Sequence, residues 1–151
     1  MKKLMHYCLA VCFVFALVNT AAAQVRKVPA TVTEAFRTKY PMALNVEWRD
    51  RLSGFTATFD LDNVHYESKF NNKGIWQSTE NKVEEKDMPE PVKDGFQKSK
   101  YAAEWTIDEI YKIQIPGEKI QYRLQIEKND IQKKNLLFSS EGRLISDKIT
   151  L

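Results

Sequence analysis

Hydrophobic residues recur at two spacings along the chain, and these spacings predict its order of helices and strands. Helical intervals of three and four residues are shared by Val32, Ala35, Phe36 and Tyr40. Thr31 followed three positions later by Glu34 is a capping box, which predicts that a helix starts there. Because Pro41 cannot continue a helix, the helix is expected to end near Tyr40.

Beyond this helix, apolar and polar residues alternate in short runs, which predicts an antiparallel meander. The four runs cover residues 45–50, 55–61, 64–70 and 75–79. Glycine, asparagine and aspartate lie between the runs, where they favour tight turns. The first half of the chain therefore predicts one helix followed by four strands.

The second half repeats this order. Three apolar or proline positions return at a constant offset: Pro29 as Pro89, Val32 as Val92 and Phe36 as Phe96. The pattern Phe-x-x-x-Gly also occurs once in each half, at residues 70–74 and 138–142. The second helix is predicted over residues 91–101, and its strands over 105–115, 120–127, 134–138 and 143–149. We predict two tandem α-β-β-β-β units, over about 28–79 and 88–151, joined by a polar linker at 80–87.

The predicted fold class is α+β, with both helices packed on one face of the antiparallel sheet structure. Residues 120–127 separate apolar from polar side chains cleanly, as in a sheet that is covered on one side. The pattern leaves open whether the two meanders form one sheet or two. The uncovered face is expected to carry Thr56, Thr58, His65, Glu67, Lys69, Lys112, Gln114, Gln121, Arg123 and Gln125.

The N-terminus has the pattern of a secretory signal peptide. Lys2 and Lys3 precede an apolar stretch over residues 4–18, and small residues follow at 21–23. Cleavage after Ala23 would remove residues 1–23 and leave one domain over 24–151. Lipidation at Cys12 is an alternative, although Val11 before it is larger than a lipoprotein signal requires. We expect a periplasmic protein with no stable membrane span after cleavage.

Composition narrows the range of possible functions. Both cysteines, Cys8 and Cys12, lie inside the predicted signal, so the mature chain is expected to have no disulfide and no thiol chemistry. The formal net charge of the full chain is +3, and removal of Lys2 and Lys3 lowers it. This small excess of positive charge gives no electrostatic reason to expect a nucleic-acid partner.

Few residues suggest catalysis. His65 is the one histidine of the predicted mature chain, and its polar neighbours indicate a surface position on a strand. The chain lacks a Gly-x-Ser-x-Gly motif, and its five glycines are scattered singly rather than forming a phosphate loop. With so few histidines and cysteines, a zinc site is not expected. We therefore expect a protein that is not an enzyme and needs no cofactor.

Calcium is the metal that the sequence leaves open, because calcium needs oxygen ligands alone. Asp60, Asp62 and Asn63 place two carboxylates and an amide near a strand end. They do not match the EF-hand pattern, and a β-turn with side-chain hydrogen bonds explains them equally simply. A calcium-responsive or structural envelope protein without catalytic activity is thus an alternative hypothesis.

Several positions together resemble a known family, the PepSY-like periplasmic proteins of Bacteroidetes-type bacteria. The residues that carry the resemblance are Val28, Pro29, Phe36, Tyr40, Pro41, Ala43 and Trp48, then Met88, Pro89, Phe96, Tyr101 and Ala103. In the second half Tyr101 is followed by Ala102 where the first half has proline. The resemblance implies a fold similar to β-lactamase inhibitor protein and a periplasmic location.

These observations predict a secreted binding or inhibitor-like module that recognises a periplasmic protein or peptide through the polar face of its sheet. The residues expected to contact the partner are Lys69, Trp76, Lys112, Arg123 and Gln125. Trp76 is included because either Ile75 or Trp76 must point away from the helices if that strand is regular. An aromatic side chain exposed on a polar sheet is typical of a recognition site.

Overall fold

The structure, a computed structural model, describes residues 26–150. The predicted signal peptide and the alternative lipidation site at Cys12 lie outside the described residues. The first half contains α1 (Ala30–Lys39), β1 (Leu44–Arg51), β2 (Gly54–Leu61), β3 (Val64–Asn71) and β4 (Trp76–Val83). A 3-10 turn (Glu85–Asp87) leads to α2 (Glu90–Gln97), β5 (Thr106–Ile115), β6 (Lys119–Glu127), β7 (Lys133–Ser139) and β8 (Leu144–Thr150).

All eight strands of the described chain form one open antiparallel sheet, in the order in which they occur in the sequence. The α+β class is therefore confirmed, and the two meanders make a single sheet. The two halves meet where β4 pairs with β5, with Asn81 opposite Lys112 and Val83 opposite Ile110. Residues 80–83, which the sequence predicted as linker, are thus strand residues that join the halves. Because three of these four residues are polar, their sequence does not distinguish them from a loop.

A proline is the N-cap residue of each helix, and in α1 it takes the place of the predicted capping box. Pro29 is the N-cap of α1, and its carbonyl oxygen accepts hydrogen bonds from the backbone N–H groups of Val32 (3.0 Å) and Thr33 (3.2 Å). Thr31 lies inside the first turn, so the capping role predicted for it is wrong. Pro89 begins α2 in the same way. An extended proline with a free carbonyl is enough to close the first turn.

The two helices bury two separate hydrophobic cores against the same side of the sheet. In the first core, Val32 and Phe36 of α1 pack with Phe55, Phe59 and Phe70. The second core joins Val92 and Phe96 of α2 to Met88, Tyr101, Ile110, Tyr122, Leu124, Ile126, Leu136 and Phe138. The opposite side of the sheet is free of helices within residues 26–150, and we call it the open face.

A glycine in one hairpin of each half lies against the helix of that half. Gly142 has φ +81°, and a Cβ atom added there would stand 1.9 Å from the carbonyl oxygen of Pro91 in α2. Gly74 has φ +79°, and its added Cβ would stand 2.6 Å from the carbonyl oxygen of Thr31 in α1. Only glycine fits both the backbone angle and this close approach. The Phe-x-x-x-Gly pattern therefore marks where a hairpin packs on a helix.

Candidate binding face

Strand register determines which side chains share the open face. In antiparallel pairs, directly opposite residues point to the same side of the sheet, and neighbours along a strand point to opposite sides. Phe55 and Phe59 lie in the first core, so Thr56 and Thr58 lie on the open face. The register extends this face to Glu47, Arg49, His65, Glu67, Lys69, Glu80, Lys82, Glu109, Tyr111, Arg123 and Gln125.

A charged cluster connects the two halves at the middle of this face. Glu80 on β4 accepts a hydrogen bond from the Arg123 guanidinium on β6, with 3.0 Å between Nη2 and Oε1. The Nζ atom of Lys69 lies 3.7 Å from the same carboxylate oxygen and 3.2 Å from Oε1 of Glu67. Glu80 is only 9% exposed, and a carboxylate so little exposed to water needs charged or hydrogen-bonding partners such as these.

Tyr111 extends the cluster toward the second half. The Arg123 guanidinium lies over its ring, 4.3 Å from the ring centroid. Its hydroxyl donates to Oε2 of Glu109 at 2.5 Å, while Lys82 Nζ binds the other oxygen of that carboxylate at 2.8 Å. Burial, followed by the hydrogen bond to Glu109, raises the pKa of Tyr111 to about 12. The pKa of Glu109 is lowered, first by Lys82 and then by Tyr111.

Replacing Glu109 by glutamine should lower the pKa of Tyr111 from about 12 toward, but not to, its ordinary value of 10.0. The change removes the negative charge that opposes tyrosinate formation, and it leaves the effect of burial in place. NMR titration of ¹³Cζ-labelled tyrosine, assigned with Tyr111→Phe, measures this pKa. Glu67→Gln is the control, because Glu67 does not contact Tyr111. An unchanged Tyr111 pKa in Glu109→Gln would contradict the hydrogen bond between the two side chains.

The raised pKa of Tyr111 also affects the stability of the fold at alkaline pH. Because the folded pKa of Tyr111 lies above the ordinary value, folding favours the neutral phenol. The stabilisation from this group is fully present below pH 10 and is lost as the pH rises through about 12. Glu109→Gln should reduce that alkaline loss in urea unfolding measured across this range.

The open face is concave enough to hold two depressions. One has a volume of about 410 Å³ and is lined by Arg49, His65, Glu67, Lys82, Tyr111 and Arg123, among others. The second, of about 260 Å³, is lined by Arg51, Thr56, Glu67, Lys69 and Gln77, among others. Cations, carboxylates and the ring of Tyr111 are thus presented together. Such a surface can bind a polypeptide by charge complementarity and by contact with the ring.

Three of the five predicted partner-binding residues, Lys69, Arg123 and Gln125, lie on the open face. Lys112 does not, because it stands opposite Asn81 and Tyr122, and Tyr122 belongs to the second core. Gln114, two residues further along β5, lies on the helix side for the same reason. The predicted placement of Lys112 and Gln114 on the polar face is wrong. The helices leave the middle of their own side uncovered, so polar side chains are tolerated there.

Trp76 also lies on the helix side, where it packs against the first core. Its Nε1–H donates to Oγ1 of Thr79 at 2.8 Å, and the Lys39 ammonium stands 3.7 Å from the centroid of its ring system. Ile75 is the exposed member of the pair. A recognition role for Trp76 and Lys112 would therefore require a second surface, separate from the open face.

Sequence reasoning misses Glu80 and Tyr111, which are central to the cluster. The sequence predicts Glu80 as part of the linker, and its aromatic pattern does not separate Tyr111 from the core aromatics. One available signal is the spacing of two between Glu109 and Tyr111, which places both on one face of any strand. No comparable local signal marks Glu80, because its partner Arg123 lies 43 residues away in sequence.

Of the three residues predicted as calcium ligands, Asp62 and Asn63 form a turn, and Asp60 is paired with neighbouring side chains. Asp62 and Asn63 both have positive φ, 52° and 62°, and occupy the two-residue turn between β2 and β3. Asp60 accepts a hydrogen bond from Asn45 at 2.8 Å and contacts Nδ1 of His65 at 2.8 Å. These contacts, Asn45 first, lower the pKa of Asp60.

No group of three or more histidine, cysteine, aspartate or glutamate residues among the described ones is arranged to hold a metal ion. Asp62 and Asn63 are explained by the turn that they form, and Asp60 by its two neighbours. Calcium binding at Asp60, Asp62 and Asn63 remains a prediction from sequence.

Comparison with known proteins gives a family and a fold. Residues 54–146 match the family model described as "Putative beta-lactamase-inhibitor-like, PepSY-like". No curated protein matches the chain. The structure is similar to a DUF2874 family protein from Bacteroides uniformis ATCC 8492, at 22% identity and a TM-score of 0.73, covering 82% of this chain and 90% of that one.

Two further solved structures show the same architecture. A BLIP-like protein from Bacteroides fragilis NCTC 9343 has 22% identity and a TM-score of 0.72, with 85% of this chain and 90% of that one covered. A protein from Bacteroides eggerthii DSM 20697, described as one of the "putative periplasmic proteins", has 18% identity and a TM-score of 0.72, with 82% and 90% covered. At these identities the similarity establishes the fold.

The helices of the described chain are too short, or too polar, to cross a membrane.

Proposed function

This chain belongs to the PepSY-like family, and from that premise we propose that it is a periplasmic module that binds a protein or extended peptide through its open face. The observation that carries the proposal is the cluster around Glu80, in which charges from β3, β4 and β6 are held in place. A surface of ordered charges binds with a smaller loss of side-chain freedom than a mobile one.

The chemistry of the open face indicates the kind of partner. Arginine and tyrosine are enriched where binding energy concentrates, and here Arg123 and Tyr111 stack beside one of the depressions. Carboxylates and cations alternate around them, so the partner is expected to carry charges of both signs. Recognition of this type depends on electrostatic complementarity and on electrostatic steering of association more than on burial of apolar surface.

The family description and one structural neighbour support an inhibitor-like form of this activity. The family is described as beta-lactamase-inhibitor-like, and the Bacteroides fragilis neighbour is described as BLIP-like. A purified β-lactamase is therefore a reasonable first probe in addition to unidentified periplasmic proteins. An inhibitor of this kind would act by covering its target with the charged and aromatic groups of the open face.

A periplasmic location agrees with the N-terminal pattern and with the neighbour from Bacteroides eggerthii. We also propose that the chain consists of two tandem units. Their shared packing supports this: Gly74 contacts α1 at Thr31, and Gly142 contacts α2 at Pro91. The open face would then be formed from two related halves that diverged in the side chains they present.

Changes on the open face should strongly reduce capture of the partner, whereas a matched change on the helix side should not. Immobilised mature protein is exposed to periplasmic extract and, separately, to β-lactamase. Lys69→Glu places a carboxylate beside Glu67 and Glu80, and Gln125→Arg adds bulk and charge; each is expected to reduce capture about tenfold or more. Lys112→Glu is the control, because Lys112 is an exposed strand cation on the helix side.

Circular dichroism would establish that each variant is folded before capture is compared. Absence of any captured protein, or equal capture by Lys69→Glu, Gln125→Arg and Lys112→Glu, would overturn the proposal.

A further inference from the structure

The outer edge of β1 carries two opposite charges that have no side-chain partner within residues 26–150. Among the described strands β1 is an end strand, paired with β2. Glu47 and Arg49 stand opposite Thr58 and Thr56, so both lie on the open face. Their separation by two residues places them side by side along the strand. Unpaired charges of opposite sign at this spacing can be satisfied by the same strand running in the opposite direction.

The backbone of this edge is regular from Glu47 to the end of β1. An irregularity in register lies between Leu44 and Glu47, and from Glu47 to the end of β1 the pairing with β2 is continuous. The outward-facing N–H and C=O groups around Trp48 are therefore arranged as a strand edge that can accept another strand, while Arg26 binds the end of β1 through the Asp50 carboxylate and the carbonyl oxygen of Arg51. Apolar side chains flank it: Leu44 is 67% exposed, and Leu52 is fully exposed.

We propose that β1 pairs antiparallel with β1 of a second copy of this chain, about a two-fold axis at Trp48. This register places Glu47 opposite Arg49 of the second copy and Arg49 opposite Glu47 of the second copy. Both pairs are cross-strand contacts on the open face, and the symmetry makes them reciprocal. The product is one sheet that continues through two molecules.

The same register also determines where the apolar side chains of β1 lie in the dimer. Trp48 meets Trp48 of the second copy on the helix side, where the ring already packs against the first core. Leu44, beyond the irregularity in β1, and the exposed Leu52, in the turn that follows β1, lie at the two ends of this stretch. A two-fold axis perpendicular to the sheet keeps both open faces on the same side. The dimer would thus present two copies of the proposed binding face together.

The other edge of the sheet is less suited to this pairing. On β8 the residues that share the open face include Ser146 and Lys148, opposite Leu137 and Asn135. The described part of that edge offers no reciprocal pair of opposite charges, because Asp147 faces the helix side and accepts from Tyr101. Pairing of β1 with β8 would be heterologous and would build open-ended chains of molecules rather than a closed dimer.

Charge exchange at two positions tests the proposal with the mature protein alone. Sedimentation velocity over a range of concentrations should show a reversible dimer of the wild type. Glu47→Arg and Arg49→Glu should each raise the dimer dissociation constant about tenfold or more, because each sets two pairs of like charges opposite one another. An equimolar mixture of the two variants should dimerise, since in the heterodimer both pairs are again opposite in sign.

The double variant Glu47→Arg/Arg49→Glu should also dimerise like the wild type, which separates loss of pairing from loss of folding. Lys148→Glu on β8 is the control and should leave the dissociation constant unchanged. A wild type that stays monomeric at all concentrations overturns the proposal. So does a dimer that is indifferent to both single changes, a mixture that fails to recover, or a disruption caused by Lys148→Glu.

Discussion

Replacing Arg123 by methionine should lower the free energy of unfolding by about 2–3 kcal/mol. The change keeps an apolar stem over Tyr111 but removes the guanidinium that binds Glu80 at 3.0 Å. The Glu80 carboxylate would be left nearly buried, with Lys69 at 3.7 Å as its remaining cation. The expected cost lies below that of a fully buried pair because Arg123 is partly exposed and Lys69 remains. Urea unfolding measures it.

A double-mutant cycle separates the ion pair from its surroundings. Glu80→Gln/Arg123→Met removes both charges, so it should be more stable than the sum of the two single changes implies. Lys112→Met, a cation on the other side of the sheet, should change stability by no more than about 0.5 kcal/mol. Additive effects in the cycle, or an Arg123→Met protein as stable as the Lys112→Met protein, would contradict the role given to this pair.

Replacing Phe36 by alanine should cost about 4 kcal/mol of unfolding free energy, a larger loss than the one expected for Arg123→Met. Phe36 is 3% exposed and lies at the centre of the first core. Its ring centroid stands 5.0 Å from that of Phe59 and 5.3 Å from that of Trp48, both in edge-on geometry. Chemical denaturation monitored by tryptophan fluorescence would measure the loss.

Phe96 provides the matched control, because it occupies the corresponding place on α2 and is 4% exposed. Within the described residues, no close ring pair includes Phe96. Phe96→Ala should therefore cost about 1 kcal/mol less than Phe36→Ala, the difference expected from favourable ring contacts. A cost for Phe36→Ala below about 2 kcal/mol, or a larger cost at Phe96, would show that the first core is not organised around this ring.

The elements that sequence predicts well are those in which one face of a strand is core and the other is polar. Along β6, for example, Tyr122, Leu124 and Ile126 are buried and alternate with polar residues, so a period of two determines both the strand and its inner face. The helices are predicted because Phe36 and Phe96 lie on apolar stripes. The start of α1 is misplaced at Thr31 because the carbonyl of Pro29 replaces the expected side-chain cap.

The elements that sequence misses are those in which pairing, rather than hydrophobicity, determines the structure. β4 is polar over most of residues 80–83, and what holds it is its ladder with β5 and the ion pair of Glu80. β5 has isoleucines on both faces, so its pattern could not show that Ile110 faces the second core. That single register also decides that Tyr111 faces the open side and Lys112 does not.

The candidate site is therefore predicted in part. Lys69, Arg123 and Gln125 are placed on the correct surface, because β3 and β6 alternate clearly. The interaction that organises the surface joins β4 to β6, and it becomes visible only once the two halves are seen to form one sheet. Contacts between residues far apart in sequence leave little trace in local composition.

The amount of partner captured by Lys69→Glu relative to Lys112→Glu tests the central claim most directly, since the two changes place the same charge on opposite sides of one sheet. We predict that Lys112→Glu captures as much as the wild type, while Lys69→Glu captures about a tenth or less. Equal capture by the two variants, or loss with Lys112→Glu alone, would contradict recognition through the open face.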